Sequence, residues 1–94
     1  MFEIQFGPDG NLRLVGRLDA AQAEGARAIL RTVSRSVTAD CSALEYISSG
    51  GIGVLLETHK RLAGEGHSLR LTRMNPHVRR IFSHTRLDRV LDIE

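Results

Sequence analysis

The sequence predicts a small α/β domain: a mixed, mostly parallel β-sheet with helices mainly on one face, in the order β-β-α-β-α-β-α. Three observations carry this. Alternating apolar residues flank a dense turn signal near the start, the pattern of a β-hairpin. Three later stretches repeat their apolar residues at helical spacing. Short apolar runs lie between those stretches, and strands joined through helices usually pair in parallel by right-handed crossovers.

The elements follow in order. Phe2-Glu3-Ile4-Gln5-Phe6 alternates apolar and polar, Gly7-Pro8-Asp9-Gly10 is a turn, and Asn11 to Val15 alternates again. Gly16-Arg17-Leu18 leads to Asp19, whose carboxylate suits a helix N-cap with Gln22 in the reciprocal capping-box position. The first helix runs from Ala20 to about Val33, with Ala26, Ile29, Leu30 and Val33 on its apolar side and Gly25 weakening it. Val37 to Cys41 reads as a short strand and Ser42 to Ile47 as a connecting loop.

The second helix starts within Ser48-Ser49-Gly50-Gly51. Its expected buried stripe is Ile52, Leu55, Leu56, His59, Leu62 and Ala63, and Gly64-Glu65-Gly66 ends it. His67 to Thr72 is a further strand. Asn75-Pro76 is a cap followed by proline at the first helical position, and Val78, Ile81 and Phe82 form that helix's apolar face. Leu87, Val90, Leu91 and Ile93 close the chain as a short helical or extended segment.

Composition narrows the function. With 94 residues the chain suffices for one domain and not for two, so a single domain over residues 1–94 is expected. Hydrophobic residues at 41% and charged residues at 26% argue against disorder. A net charge of +2 is weak for a nucleic-acid binder, which needs a concentrated basic footprint. One cysteine cannot form an internal disulfide, which fits a reducing, cytoplasmic location. Met1-Phe2-Glu3-Ile4 lacks the basic start and long apolar run of a secretory leader, and no stretch approaches the ~20 apolar residues of a membrane span.

The informative stretch is Leu44 to Leu56, where Ser48 and Ser49 open an amphipathic helix and are followed by Gly50, Gly51 and Gly53. The plain reading is an N-cap serine and a flexible first turn. Yet three glycines weaken that turn by roughly 2–3 kcal/mol against alanine, which makes sense where another protein approaches the backbone closely. A phosphate on a serine here would meet free N–H groups and the positive end of the helix dipole. It would add nearly two negative charges without unfolding the domain.

Three segments resemble the STAS domain family, specifically the stand-alone anti-sigma factor antagonists. Gly16-Arg17-Leu18-Asp19 resembles the family's G-E-L-D, and Tyr46 through Leu56 resembles its signature Y-[ILM]-D-S-[STA]-G-[LI]-G-V-L-L. Met74 through Phe82, followed by Leu87, resembles a last helix of the type S-P-x-V-[RK]-R-[LIV]-F. The resemblance implies a STAS-like fold. It implies that the serine after the signature's aspartate is phosphorylated, a position held by Ser49. Here the aspartate is replaced by Ser48, which can compete as acceptor, and Gly50 follows.

The resemblance further implies partner switching. The unmodified protein binds an anti-sigma factor that is also a serine kinase and so releases the sigma factor. Phosphorylation ends the complex, and a Mg- or Mn-dependent serine phosphatase restores it. The implied partner surface comprises Asp19, Ser48, Ser49, Gly50, Gly51 and Gly53. The chain itself is then a ligand and substrate rather than an enzyme, with no cofactor, no direct nucleic-acid contact and no membrane insertion. The alternative is an unphosphorylated STAS subunit that binds the ATPase of a lipid-trafficking ABC transporter.

Other residues carry less. His59, His67, His77 and His84 match no metal-ligand spacing. Ser49 lacks the preceding glycine of a nucleophile elbow, and the glycine run lacks a Walker ending. Cys41 reads as a small buried hydrophobe. Arg73, His77, Arg80 and His84 are expected on one face of the last helix, with Arg79, Arg86 and Arg89 nearby. That face is either simply solvated or faces an acidic protein partner.

Overall fold

The structure, a computed structural model, describes residues 1–94. Five strands form one sheet in the order β1-β2-β3-β4-β5. They are β1 (Phe2–Phe6), β2 (Leu12–Leu18), β3 (Val37–Ile47), β4 (Leu69–Thr72) and β5 (Asp92–Ile93). The helices are α1 (Ala23–Leu30), α2 (Ser49–Gly64) and α3 (Pro76–His84), with a 3-10 turn over Leu87–Arg89.

β1 and β2 form the expected antiparallel hairpin, in register from Phe2 opposite Gly16 to Phe6 opposite Leu12. Its turn closes through the Gly7 N–H to the Asn11 carbonyl at 2.9 Å, and the Asp9 carboxylate accepts the Asn11 N–H at 3.0 Å. The other pairs are parallel. Each β-α-β step advances the strand order by one, and right-handed crossovers in one direction place their helices on one face. Burial along β2 agrees: Leu12, Leu14, Gly16 and Leu18 are buried while Arg13 and Arg17 are exposed. On the other face Arg13 and Arg17 are exposed, whereas Val15, Asp40, Ala43 and Tyr46 are half-buried. Between sheet and helices lies a single core that includes Leu14, Leu18, Leu44, Leu55, Val78 and Phe82.

Several expectations are corrected. β2 continues through Gly16 to Leu18 instead of ending at Val15. Gly16 sits at φ 95°, and a Cβ there would come within 2.3 Å of the Met1 carbonyl oxygen, so only glycine fits. α1 starts at Ala23 and ends at Leu30. Asp19 caps a turn ahead of it, accepting the Gln22 N–H at 3.2 Å, while the N-cap is Gln22 with no side-chain bond of its own.

The largest correction is β3. Residues Ser42 to Ile47, expected as a loop, are its second half. Against β2, β3 carries an extra residue at two places, between the pairs Arg13–Asp40 and Val15–Ala43 and between Gly16–Leu44 and Arg17–Tyr46. Such bulges leave one residue unpaired and reset which side chain faces in. The buried positions Cys41, Leu44 and Ile47 therefore fall three apart, which hides the strand's period of two.

The buried side of α2 also differs. Ala63 is exposed and His59 half-buried, whereas Val54 and Thr58 are buried. α2 packs against α1 as well as the sheet, so its covered arc is wider than one stripe. Thr58 satisfies its hydroxyl by donating to the Val54 carbonyl at 2.9 Å.

Candidate functional site

β2 and β3 end side by side, Leu18 opposite Ile47, and deliver the chain to two neighbouring turns. The Ser48 N–H donates to the Leu18 carbonyl at 2.9 Å, which fastens the start of α2 to the end of β2. Ser48 is the N-cap in extended conformation, and its Oγ accepts the Gly51 N–H at 3.2 Å. Ser48 is half-buried; Ser49, the first residue of α2, is exposed and its hydroxyl has no partner within the domain. No acidic residue occupies the first turn of α2, so the positive end of the dipole is uncompensated.

The three glycines are not equivalent. At Gly51 a Cβ would stand 2.7 Å from the Leu18 carbonyl oxygen and from Leu18 Cγ. Its lack of a side chain is required by the close approach of α2 to the end of β2. At Gly50 a Cβ would make only ordinary contacts, the nearest 3.6 Å away at Ser48 Oγ, followed by Ala20 and Ala23. At Gly53 it would meet nothing within 4 Å. Ala20 and Ala23 thus lie beside Gly50, Ser49 is exposed and a Cβ at Gly53 would meet open space, while Gly51 is buried. The structure brings Asp19, Ser48, Ser49 and Gly50 to one end of the sheet and places Gly53 one turn further along α2.

A stack at the same end of β3 was not legible in the sequence. The Arg17 guanidinium lies 4.5 Å from the centre of the Tyr46 ring, and the His77 ring stacks on Tyr46 at 6.5 Å. Register makes the first pair, since Arg17 and Tyr46 are opposite each other on β2 and β3. The docking of α3 makes the second: Asn75 caps that helix by accepting the Val78 N–H at 2.8 Å and donates its amide to the Leu44 carbonyl at 3.0 Å. Arg73 is not on α3 as expected. It precedes the helix, in left-handed conformation at φ 58°, and pairs with Asp40 at 2.6 Å.

Burial works to raise the Asp40 carboxyl, but the Ser42 backbone and hydroxyl and the Arg73 guanidinium outweigh it and hold it below its usual range. Burial pushes the Cys41 thiol up to about 12, helped by the neighbouring Asp40 charge, so it stays a protonated core group. No helix is long and apolar enough to cross a membrane.

Residues 4–92 match the model of the family described as Mlab, STAS domain. No curated protein matches the sequence. A protein of Thermotoga maritima assigned as an anti-sigma factor antagonist superposes with a TM-score of 0.80 at 25% identity, over 99% of this chain and 85% of its own. The unphosphorylated anti-sigma factor antagonist SpoIIAA superposes with a TM-score of 0.68 at 20% identity, over 96% of this chain and 97% of its own. An anti-sigma factor antagonist of Mycobacterium paratuberculosis gives 0.75 at 20% identity, over 99% and 83%. The matched residues run from the opening hairpin to the last strand, and the chain belongs to the STAS domain family.

Proposed function

We propose that this chain is an anti-sigma factor antagonist whose partner surface is the Ser49 end of the sheet, switched by phosphorylation of Ser49. The observation that carries this is the division of labour between the two serines. Ser48 uses its oxygen as a cap and is half-buried, whereas Ser49 is exposed with a free hydroxyl, next to half-buried Gly50 and one turn from Gly53, where a Cβ would meet nothing within 4 Å. A similar fold occurs in SpoIIAA, known in phosphorylated form, at 19% identity and a TM-score of 0.71.

The unmodified protein binds an anti-sigma factor that is also a serine kinase. The kinase transfers the terminal phosphoryl group of MgATP to Ser49 Oγ. The bond to ADP breaks, the Oγ–P bond forms, and the hydroxyl proton is released. The new group carries about −1.5 to −2 charges at neutral pH. At the start of α2 this charge is welcome, worth about 0.3–1 kcal/mol for a carboxylate in the same place. Buried against a partner it must be desolvated, at a cost of about 2 kcal/mol or more. Fold stability and affinity therefore respond with opposite signs. A Mg- or Mn-dependent serine phosphatase hydrolyses the ester and restores binding.

The experiment is phosphorylation by the cognate kinase with MgATP, mass mapping of the product, and partner affinity before and after. One phosphate on Ser49, with affinity lowered and thermal stability kept, is expected. Mapping outside Ser48 and Ser49 rejects the assignment. Undiminished binding by phospho-Ser49 protein rejects the switch. That outcome favours an unphosphorylated subunit bound to the ATPase of a lipid-trafficking ABC transporter, a reading supported by Ser48 standing where the signature has aspartate.

A further inference from the structure

Charge is unevenly distributed along the chain. Residues 73–89 contain five arginines, no lysine and one acid, Asp88, whereas the other residues contain eight basic against ten acidic side chains. The fold turns this surplus outward. α3 buries Val78 and Phe82 and leaves Arg79, Arg80 and His84 exposed, and the following turn exposes Arg86 and Arg89. Of the eight cations elsewhere, Arg27 pairs with Glu24 and Glu57, Arg61 with Glu65 and Arg70 with Asp92 and Glu94, while the other five are spread over the chain and mixed with acids. On the α3 surface Arg79 donates to the Glu94 carbonyl at 2.9 Å, but Arg80, Arg86 and Arg89 have no acidic partner.

Arg86 supplies a second, independent observation. It lies just past the end of α3 at φ 59°, in the left-handed region. Helices favour glycine at that position because a Cβ is strained there. Arg73, also left-handed, is accounted for by its ion pair with Asp40. Arg86 keeps a strained backbone and an unpaired charge together.

We propose that the exposed face of α3 and the turn after it form a docking surface for an acidic segment of a protein partner, its carboxylates gripped by Arg80, Arg86 and Arg89. All the cations here are arginine, whose planar fork matches carboxylates two bonds at a time. A membrane-surface helix needs a free apolar face, and that of α3 is in the core. A duplex needs a recognition element for its groove, and the exposed face of this short helix is followed at once by the turn that carries the remaining arginines. The surface begins near the Ser49 end through Tyr46 and His77, so one partner can span both, but it does not depend on Ser49 being phosphorylated.

The test is fluorescence anisotropy of the intact protein with a short labelled oligoglutamate peptide, beside phosphatidylglycerol vesicles and duplex DNA at the same salt. Saturable peptide binding that weakens with salt is expected. The R80E/R86E/R89E variant, checked for folding by circular dichroism, should lose about tenfold or more in affinity, while S49D should bind the peptide as before. Arg86→Gly separates charge from structure: its melting temperature should stay or rise while its peptide affinity falls. Peptide binding that survives the triple reversal, absent binding at low salt, or tighter binding of vesicles or DNA would each overturn the proposal. None of these results bears on whether phosphate at Ser49 releases the kinase.

Discussion

α2 and α3 begin in the same way and are put to different use. Each has a polar N-cap in extended conformation whose side chain accepts an N–H from three residues on: Ser48 from Gly51 at 3.2 Å, Asn75 from Val78 at 2.8 Å. After the cap they diverge. α3 continues with Pro76, which fixes the backbone in advance, and Asn75 also grips the Leu44 carbonyl at 3.0 Å. α2 continues with Ser49 and glycines, the least helix-favouring choice apart from proline. The cap holds a helix end in both cases. Each end is a rivet to the sheet, α2 through the Ser48 N–H on the Leu18 carbonyl and α3 through the Asn75 amide on the Leu44 carbonyl. The residues just after the cap decide what each then presents at its surface: the Ser49 hydroxyl on α2, Pro76 and His77 on α3.

The largest test of the contrast is Phe82→Ala. The side chain is fully buried in the core, and the substitution should cost about 3–5 kcal/mol. Thermal or denaturant unfolding measures it. A loss below about 1 kcal/mol would show that α3 is not the rivet described.

The glycines offer a sharper test within α2 itself. Gly51→Ala forces a Cβ against the Leu18 carbonyl oxygen, an obstacle that cannot rotate away, and should destabilise by about 1–3 kcal/mol. Gly53→Ala meets nothing and should stabilise by about 1 kcal/mol through helix propensity. Opposite signs from two glycines two residues apart are expected in the same unfolding assay; equal signs would refute the close approach of α2 to β2.

The caps come next. Asn75→Ala removes two bonds, one of them to another element, and should cost about 2 kcal/mol. Ser48→Ala removes one and should cost about 1 kcal/mol. If Ser48→Ala proved the costlier, the start of α2 would be the more rigid of the two.

The smallest effect is with pH. The lead-in to α3 is pinned by Asp40 and Arg73, and that to α2 by no titrating pair. The folded carboxyl of Asp40 titrates below its ordinary value of 3.8. Its stabilisation is therefore present above that value and is lost as pH falls from there through the lower folded value. Asp40→Asn should flatten the acid limb of the stability curve modestly, since Arg73 is largely exposed. An acid limb unchanged by the substitution would remove the pair from the account.

Much of this protein is written locally. The hairpin follows from alternation around Gly7-Pro8-Asp9-Gly10, and α3 from Asn75, Pro76 and an apolar face, because turn, cap and helix period each depend on residues a few positions apart. The serine pair was visible for the same reason, and so was the choice between them as an open question. Tertiary structure decided the rest. The second half of β3 was hidden because pairing with β2 inserts two extra residues and spaces Cys41, Leu44 and Ile47 by three. Gly51 and Gly53 read alike until the end of β2 is laid beside one and solvent beside the other. Arg17, Tyr46 and His77 meet only through strand register and helix docking. A sequence states what neighbours along the chain prefer; which surface a residue finally touches depends on segments far away in the chain, and only their packing fixes it.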